Sequence, residues 1–142
     1  MKVAFATRDR VHVDSHFGSA DKVDVYSVSK TGYNFLGTIE FGGNLNEDGN
    51  EDKLIPKVKA LSDCAIVYVS AIGGSAASRL IQNKITPIKA QSEEDEITNV
   101  LGELVKTLNS SPPPPWLRKV IQQEENKIES FDEFDDEEED EI

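Results

Sequence analysis

The chain has 142 residues, and its 15 Lys and Arg against 27 Asp and Glu give a formal net charge of −12. This balance argues against nucleic acid as the main partner, because binding to phosphates requires clustered basic residues, and it also disfavours an anionic membrane surface. The length suits one domain with a single hydrophobic core.

Three strands are predicted in the first 40 residues. Residues 2–6 form a short apolar run that is typical of a buried strand. No stretch of the sequence has the length and apolarity of a leader or a membrane span, so we expect a cytoplasmic protein. Residues 23–28 alternate apolar and polar side chains, and residues 33–39 resemble a hairpin partner for them. We expect these two segments to pair antiparallel.

The middle of the chain predicts a helix, a strand and a second helix. In the first helix, helical spacing predicts inward positions for Ile55, Val58 and Leu61 and outward positions for Lys57 and Lys59. Residues 65–69 are almost continuously apolar, as in a central strand covered on both faces. Residues 75–83 predict a helix whose inward side chains are those of Ala76, Leu80 and Ile81.

A short strand over residues 86–88 and a helix with apolar residues from Ile97 to Leu108 complete the predicted core. Ser92 and Asp95 form a pattern close to a capping box before this helix. The predicted order is therefore β-β-β-α-β-α-β-α. This order implies an α/β fold in which a mixed sheet is flanked by helices.

The C-terminal part of the chain differs in composition. Residues 1–109 hold 12 basic and 15 acidic residues, whereas residues 110–142 hold 3 and 12. Four consecutive prolines at 112–115 favour an extended spacer, so we predict a domain over residues 1–109 and a proline hinge with an amphipathic segment over residues 110–130. Residues 131–142 are strongly acidic and are predicted to be a disordered tail.

The loop after the first predicted strand holds both histidines of the chain, His12 and His16, and continues into Phe17 and Gly18. Loops that leave the carboxyl ends of strands in an open α/β sheet commonly bind ligands. A neutral imidazole is a good ligand for iron, so His16 is the preferred metal ligand. Both histidines can equally be ordinary loop residues. Phe17 can anchor the loop in the core, and Gly18 can serve a turn.

Two further positions carry candidate chemistry. Gly73 and Gly74 lie at a predicted strand-to-helix junction, where backbone N–H groups attract anions, and a tight turn is the alternative. Cys64 is the only cysteine, so it cannot form an internal disulfide or build a metal cage alone. It is either a small buried hydrophobe or a thiolate ligand, and the second role requires exposure beside His16.

Signatures of catalysis are few. The sequence has no Ser nucleophile elbow and no HExxH pattern, and no Walker sequence follows Gly73. Asp9, Asp14 and Asp21 suggest a carboxylate metal site only weakly, because they lie in one polar loop and have no identifiable partners on other strands. We therefore expect a binding protein rather than an enzyme, and a bound metal must bring most of its ligands with it.

Taken together, these residues make most of the chain resemble the dinitrogenase iron-molybdenum cofactor-binding family. The resemblance rests on residues 1–7, 11–18, 72–74 and 113–119, of which the last are more specific to NifX-like members. It implies a ribonuclease-H-like three-layer α/β sandwich and ligation of the cofactor by His16, the histidine of a His-Phe-Gly motif. It does not imply nuclease activity, since a fold does not fix a function.

The resemblance also implies a function. Proteins of this family bind iron-sulfur precursors of the nitrogenase iron-molybdenum cofactor, such as the NifB cofactor made by NifB, and pass them to the NifEN scaffold. We therefore expect a monomeric, transient carrier with NifB and NifEN as partners; its candidate contacts are His16, Phe17, Gly18, His12, Gly73, Gly74 and Cys64. Two hypotheses compete with this one. The first is an interaction or regulatory protein of nitrogenase assembly that acts through its tail, and the second is a phosphate-binding module at Gly73.

Overall fold

The structure, a computed structural model, describes residues 1–41 and 54–125. Its strands are β1 (Lys2–Ala6), β2 (Lys22–Ser29), β3 (Gly32–Glu40), β4 (Ile66–Val69) and β5 (Thr86–Lys89). These strands form one sheet in the order β3-β2-β1-β4-β5.

The pairing of the strands confirms the predicted mixed sheet. Strands β2 and β3 form the antiparallel hairpin, and β1 pairs antiparallel with β2. Strands β1, β4 and β5 run parallel to one another. Parallel strands end at the same edge of a sheet, so the loop after β1 and the junction after β4 lie close together.

The helices follow the strands in the predicted order. They are α1 (Leu54–Ala60), α2 (Gly74–Gln82), α3 (Ile97–Leu108) and α4, over residues 115–125, which is formed by the segment predicted to be amphipathic. None of the helices within residues 1–41 and 54–125 combines the length and the apolarity that a membrane crossing needs.

Alternation along the strands builds two cores, one on each face of the sheet. Phe5 of β1 lies in a cluster with Leu101 of α3 and Leu117 of α4. The preceding residue, Ala4, lies on the other face in a cluster with Leu80 of α2. Helices therefore cover both faces, as predicted for a three-layer sandwich. Complete burial of one such large apolar side chain contributes about 1.5–3 kcal/mol.

The buried face of α1 differs from the predicted one. Val58 and Leu61 are buried and Lys59 is exposed, as expected, but Ile55 is 44% exposed and Lys57 is only 1% exposed. The cause is the loop that packs against α1, because its backbone carbonyls accept hydrogen bonds from the Lys57 ammonium. Helical spacing predicts which face of a helix is buried, but it does not predict which groups of other elements pack against that face.

In α2, Ala76 and Leu80 are buried as predicted, whereas Ile81 is 59% exposed. Adjacent helical positions lie about 100° apart around the axis, so Ile81 falls outside the narrow stripe that contains Leu80. The Ile81 side chain lines a surface cavity of about 210 Å³ together with Trp116.

The packed core extends beyond the predicted boundary at residue 109. Leu117 is fully buried and Val120 is 2% exposed, and both belong to the cluster that contains Leu101. One hydrophobic core therefore includes residues on both sides of the proline run, and α4 packs as part of the domain. Residues 126–130 of the predicted hinge segment and the predicted tail at 131–142 lie outside the described residues.

Leu117→Ala should lower the free energy of unfolding by about 2–5 kcal/mol, because truncation removes buried apolar contacts and leaves a cavity. Denaturant titration measures this change. The matched control is Lys119→Ala on the exposed side of α4, which should stay within about 0.5 kcal/mol of the wild type. A loss at Leu117 no larger than the control would contradict the packing of α4.

Candidate functional site

The loop after β1 is attached by its backbone to two strands. Ser15 donates to the Ala6 carbonyl at the end of β1 (3.3 Å) and accepts a hydrogen bond from the Ser70 N–H after β4 (2.9 Å). The Phe17 N–H then donates to the Ala71 carbonyl at 2.9 Å. These hydrogen bonds hold the loop across the carboxyl ends of β1 and β4.

Residues 16–20 form a tight turn that carries the His-Phe-Gly motif. The Ala20 N–H donates to the His16 carbonyl at 2.9 Å, which closes the turn. The Phe17 side chain is fully buried in the core cluster that also contains Leu61, the residue after α1. In contrast, the His16 side chain is 62% exposed. The structure thus presents an accessible imidazole on a hydrogen-bonded backbone, and the buried Phe17 side chain anchors this backbone in the core.

The His16 imidazole lines a polar cleft of about 310 Å³. The other lining residues are Arg8, Asp14, Ser15, Ser19 and Glu93. The Nε2 atom of His16 lies 4.0 Å from Oε2 of Glu93, and both side chains are more than half exposed, so this pair adds little stability. At 4.0 Å the two groups are too far apart for a hydrogen bond, so the imidazole nitrogens of His16 are not held by Glu93.

His12 lies at a different part of the same sheet edge. Its backbone pairs with Glu96 just before α3, and its side chain is not among those lining the His16 cleft. The Nδ1 atom lies 2.6 Å from Oδ2 of Asp9, which raises the pKa of His12. Backbone hydrogen bonds from His12 and Val11, together with the His12 side chain, hold the pKa of Asp9 well below its usual range. A carboxylate paired with one nitrogen of an imidazole is compatible with metal binding at the other, so His12 differs from His16 by its position outside the cleft rather than by its chemistry.

Cys64 lies at the opposite end of β4 from His16. It is 1% exposed and comes before the amino end of β4, whereas His16 pairs with Ala71 after the carboxyl end. The thiolate role required exposure beside His16, and the structure meets neither condition. Across residues 1–41 and 54–125, no three side chains of His, Cys, Asp or Glu gather into a metal-binding group.

Gly18 of the His-Phe-Gly motif and Gly73 and Gly74 at the start of α2 have open space where a side chain would stand. Gly73 precedes α2 with φ −76° and ψ 157°, and no side chain caps the helix. Gly18, Gly73 and Gly74 are exposed, and none has the positive φ that would demand glycine. An added Cβ would meet no described atom within 4 Å at any of the three. Local backbone geometry therefore does not require glycine here, and the missing side chains leave room beside the uncapped N-terminus of α2.

The structure adds residues that the sequence did not single out. Arg8, Ser19 and Glu93 line the cleft, and Lys57 supports the turn from α1. Arg8 and Ser19 flank the predicted loop segment, so a wider window would have included them. Glu93 and Lys57 are far from this loop in the sequence, and no motif around either residue indicated a role in the site.

Comparison with known proteins gives a consistent result. The family model described as dinitrogenase iron-molybdenum cofactor matches residues 1–107. The chain is 44% identical over 133 residues to Protein NifX of Herbaspirillum seropedicae, covering 94% of this chain and 90% of that protein. It is 34% identical over 87 residues to the FeMo cofactor biosynthesis protein NifB of Bradyrhizobium diazoefficiens, covering 61% of this chain and 17% of that protein. The crystal structure of PH0822 superposes with a TM-score of 0.56 at 20% identity, covering 75% and 91% of the two chains, which supports the fold.

Asp9→Asn should lower the pKa of His12 toward its ordinary value of about 6.5, because the substitution removes the carboxylate that stabilises the imidazolium. Proton NMR titration of the His12 ring measures the shift. The control is Asp63→Asn, which removes the partner of Lys2 and should leave the His12 midpoint in place.

The same pair has a defined effect on stability. A raised His12 pKa stabilises the fold below about pH 6.5, and this contribution is lost as the pH rises through the raised value. The lowered Asp9 pKa adds stability above about pH 4 that is lost in acid. The free energy of unfolding of the wild type should therefore exceed that of Asp9→Asn by the largest margin between about pH 4 and about pH 6.5. An unchanged His12 midpoint in the variant would contradict the pairing.

Proposed function

The chain belongs to the dinitrogenase iron-molybdenum cofactor family, and from this premise we propose that it is a carrier of iron-sulfur precursors of the iron-molybdenum cofactor. The cargo is the NifB cofactor or a later intermediate, held transiently and passed on to the NifEN scaffold. Similarity to proteins named NifX and to a FeMo cofactor biosynthesis protein supports a role in nitrogenase cofactor assembly.

The observation that carries the proposal is the exposed imidazole of His16 on a fixed turn. Inorganic sulfide satisfies most of the coordination of iron in such a cluster, so the protein needs to supply only one nitrogen ligand and an open surface. Imidazole is a suitable ligand for iron. The His16 side chain is 62% exposed and stands over a 310 Å³ cleft, which gives a bulky cargo access from solvent.

Charges near His16 suit a cargo that binds and then leaves. The uncapped N-terminus of α2 and the Arg8 side chain attract an anionic cluster, and a helix N-terminus contributes about 0.3–1 kcal/mol at an exposed site. Asp14 and Glu93 line the same cleft and repel it. The net electrostatic attraction is therefore small, so specificity rests on the bond to His16 and release requires little reorganisation.

The carrier returns its cargo unchanged, so the proposal includes no chemical step. Similarity to NifB over 87 residues supports recognition of the same cargo by the two proteins. A cargo taken directly from the protein that makes it avoids exposure to solvent and oxygen. NifB as donor and NifEN as acceptor are the partners that this proposal requires.

The alternative function is partner binding without a cluster, through the C-terminal segment. One observation favours it: Trp116 of α4 is 43% exposed and lines a groove of about 440 Å³ with Ile88 of β5 and Val100 of α3. Glu94 and Glu103 also line this groove. An exposed tryptophan in a partly apolar groove is common where proteins associate.

His16→Ala should raise the Kd for the purified NifB cofactor at least about tenfold, equivalent to about 1.4 kcal/mol, because it removes the protein ligand to iron. Anaerobic absorption and paramagnetic resonance spectra after mixing measure the uptake. Because the His16 side chain is exposed, the free energy of unfolding should change by less than about 0.5 kcal/mol.

His12→Ala is the matched control, since it removes an imidazole from the same loop outside the cleft. Its uptake should equal that of the wild type. Undiminished uptake by His16→Ala would remove His16 as the ligand. No uptake by the wild-type protein would favour the partner-binding alternative.

A further inference from the structure

Lys57 is a buried cation whose two hydrogen bonds both go to backbone carbonyls of the His-Phe-Gly turn. Lys57 is 1% exposed, and its Nζ atom donates to the Phe17 carbonyl at 2.8 Å and to the Gly18 carbonyl at 3.1 Å. The ammonium also lies 5.5 Å from the ring centroid of Phe17 and 5.2 Å from that of Phe41. Two carbonyls and two aromatic faces thus surround the charge.

Burial of this ammonium is costly, and no ion pair offsets the cost within the described ranges 1–41 and 54–125. Desolvation lowers the pKa of Lys57 to about 8, and the charge of Asp21 opposes that shift in part. A Met side chain of similar length would fill the space without burying a charge. The feature that Lys provides and Met lacks is a set of N–H donors for the two carbonyls.

The two carbonyls fix the direction of two whole peptide units. In a planar trans peptide the N–H points opposite to the C=O, so the N–H groups of Gly18 and Ser19 point away from Lys57. Neither N–H has a backbone acceptor among the residues that the structure describes. Ser19 lines the cleft beside His16, and Gly18 is exposed. Successive free N–H groups of this kind bind anions.

We propose that Lys57 is a positioning residue for cargo binding: its ammonium holds the Phe17 and Gly18 carbonyls inward, so that the turn presents the His16 imidazole and the outward N–H groups of Gly18 and Ser19 to the cluster. This inference concerns how the proposed carrier holds its cargo, and it rests on the proposed carrier function. The positioning itself is a property of the cluster-free protein and is measurable there.

Lys57→Met tests the inference with two readouts. In the cluster-free protein, backbone NMR order parameters of residues 16–20 should fall below about 0.6 while those of β1 and β4 stay near 0.85. In the cluster-loaded assay, the Kd for the NifB cofactor should rise at least about tenfold. The matched control is Lys59→Met on the exposed side of α1, which should change neither readout.

Lys57→Gln keeps two N–H donors without the charge and serves where Lys57→Met does not fold. It should preserve the order of the turn and recover more than half of the lost binding free energy. An ordered turn in Lys57→Met, or a mobile turn with unchanged cluster affinity, would overturn the inference, as would a turn that is as mobile in Lys57→Gln as in Lys57→Met. A wild-type protein that takes up no cluster would refute the carrier function instead, and the order parameters would still decide the positioning.

Discussion

The hydrogen bond from the Phe17 N–H to the Ala71 carbonyl joins the two parts of the chain on which the candidate site depends. It ties the loop after β1 to the end of β4, directly before the glycines that open α2. This bond is possible because β1 and β4 are parallel neighbours, so their carboxyl ends meet at one edge of the sheet. The burial of Phe17 and the donors of Lys57 then fix the turn on which His16 stands.

The candidate site combines a hydrogen-bonded support with an exposed imidazole, and this combination suits the proposed transfer of a cargo. A cluster enclosed by several protein ligands would be held tightly and released slowly, since differences in affinity appear mainly in the dissociation rate. Here one imidazole stands on a fixed turn, and the side chains of Arg8, Asp14 and Glu93 line the cleft beside it. In the proposed carrier, this arrangement limits the affinity for the cargo while it keeps the position of the imidazole constant.

The sequence predicted the parts that depend on local patterns. Alternation in β2 and the continuous apolar run of β4 identified the strands, and their order predicted the mixed sheet. It could not predict the burial of Lys57, because that depends on carbonyls 40 residues away, nor the approach of Glu93 to His16. The prolines suggested a boundary, but Leu117 packs into the same core across them. Long-range contacts of single side chains leave no periodic signal in a sequence.

The central claim is that His16 binds iron of the cargo. Pulsed paramagnetic resonance of the protein loaded with the NifB cofactor, poised in a paramagnetic state, tests this most directly. The account predicts a nitrogen hyperfine coupling from one imidazole, which changes when histidine is labelled with nitrogen-15 and disappears in His16→Ala but not in His12→Ala. A loaded wild-type protein without this coupling, or a coupling that persists in His16→Ala, would contradict the account.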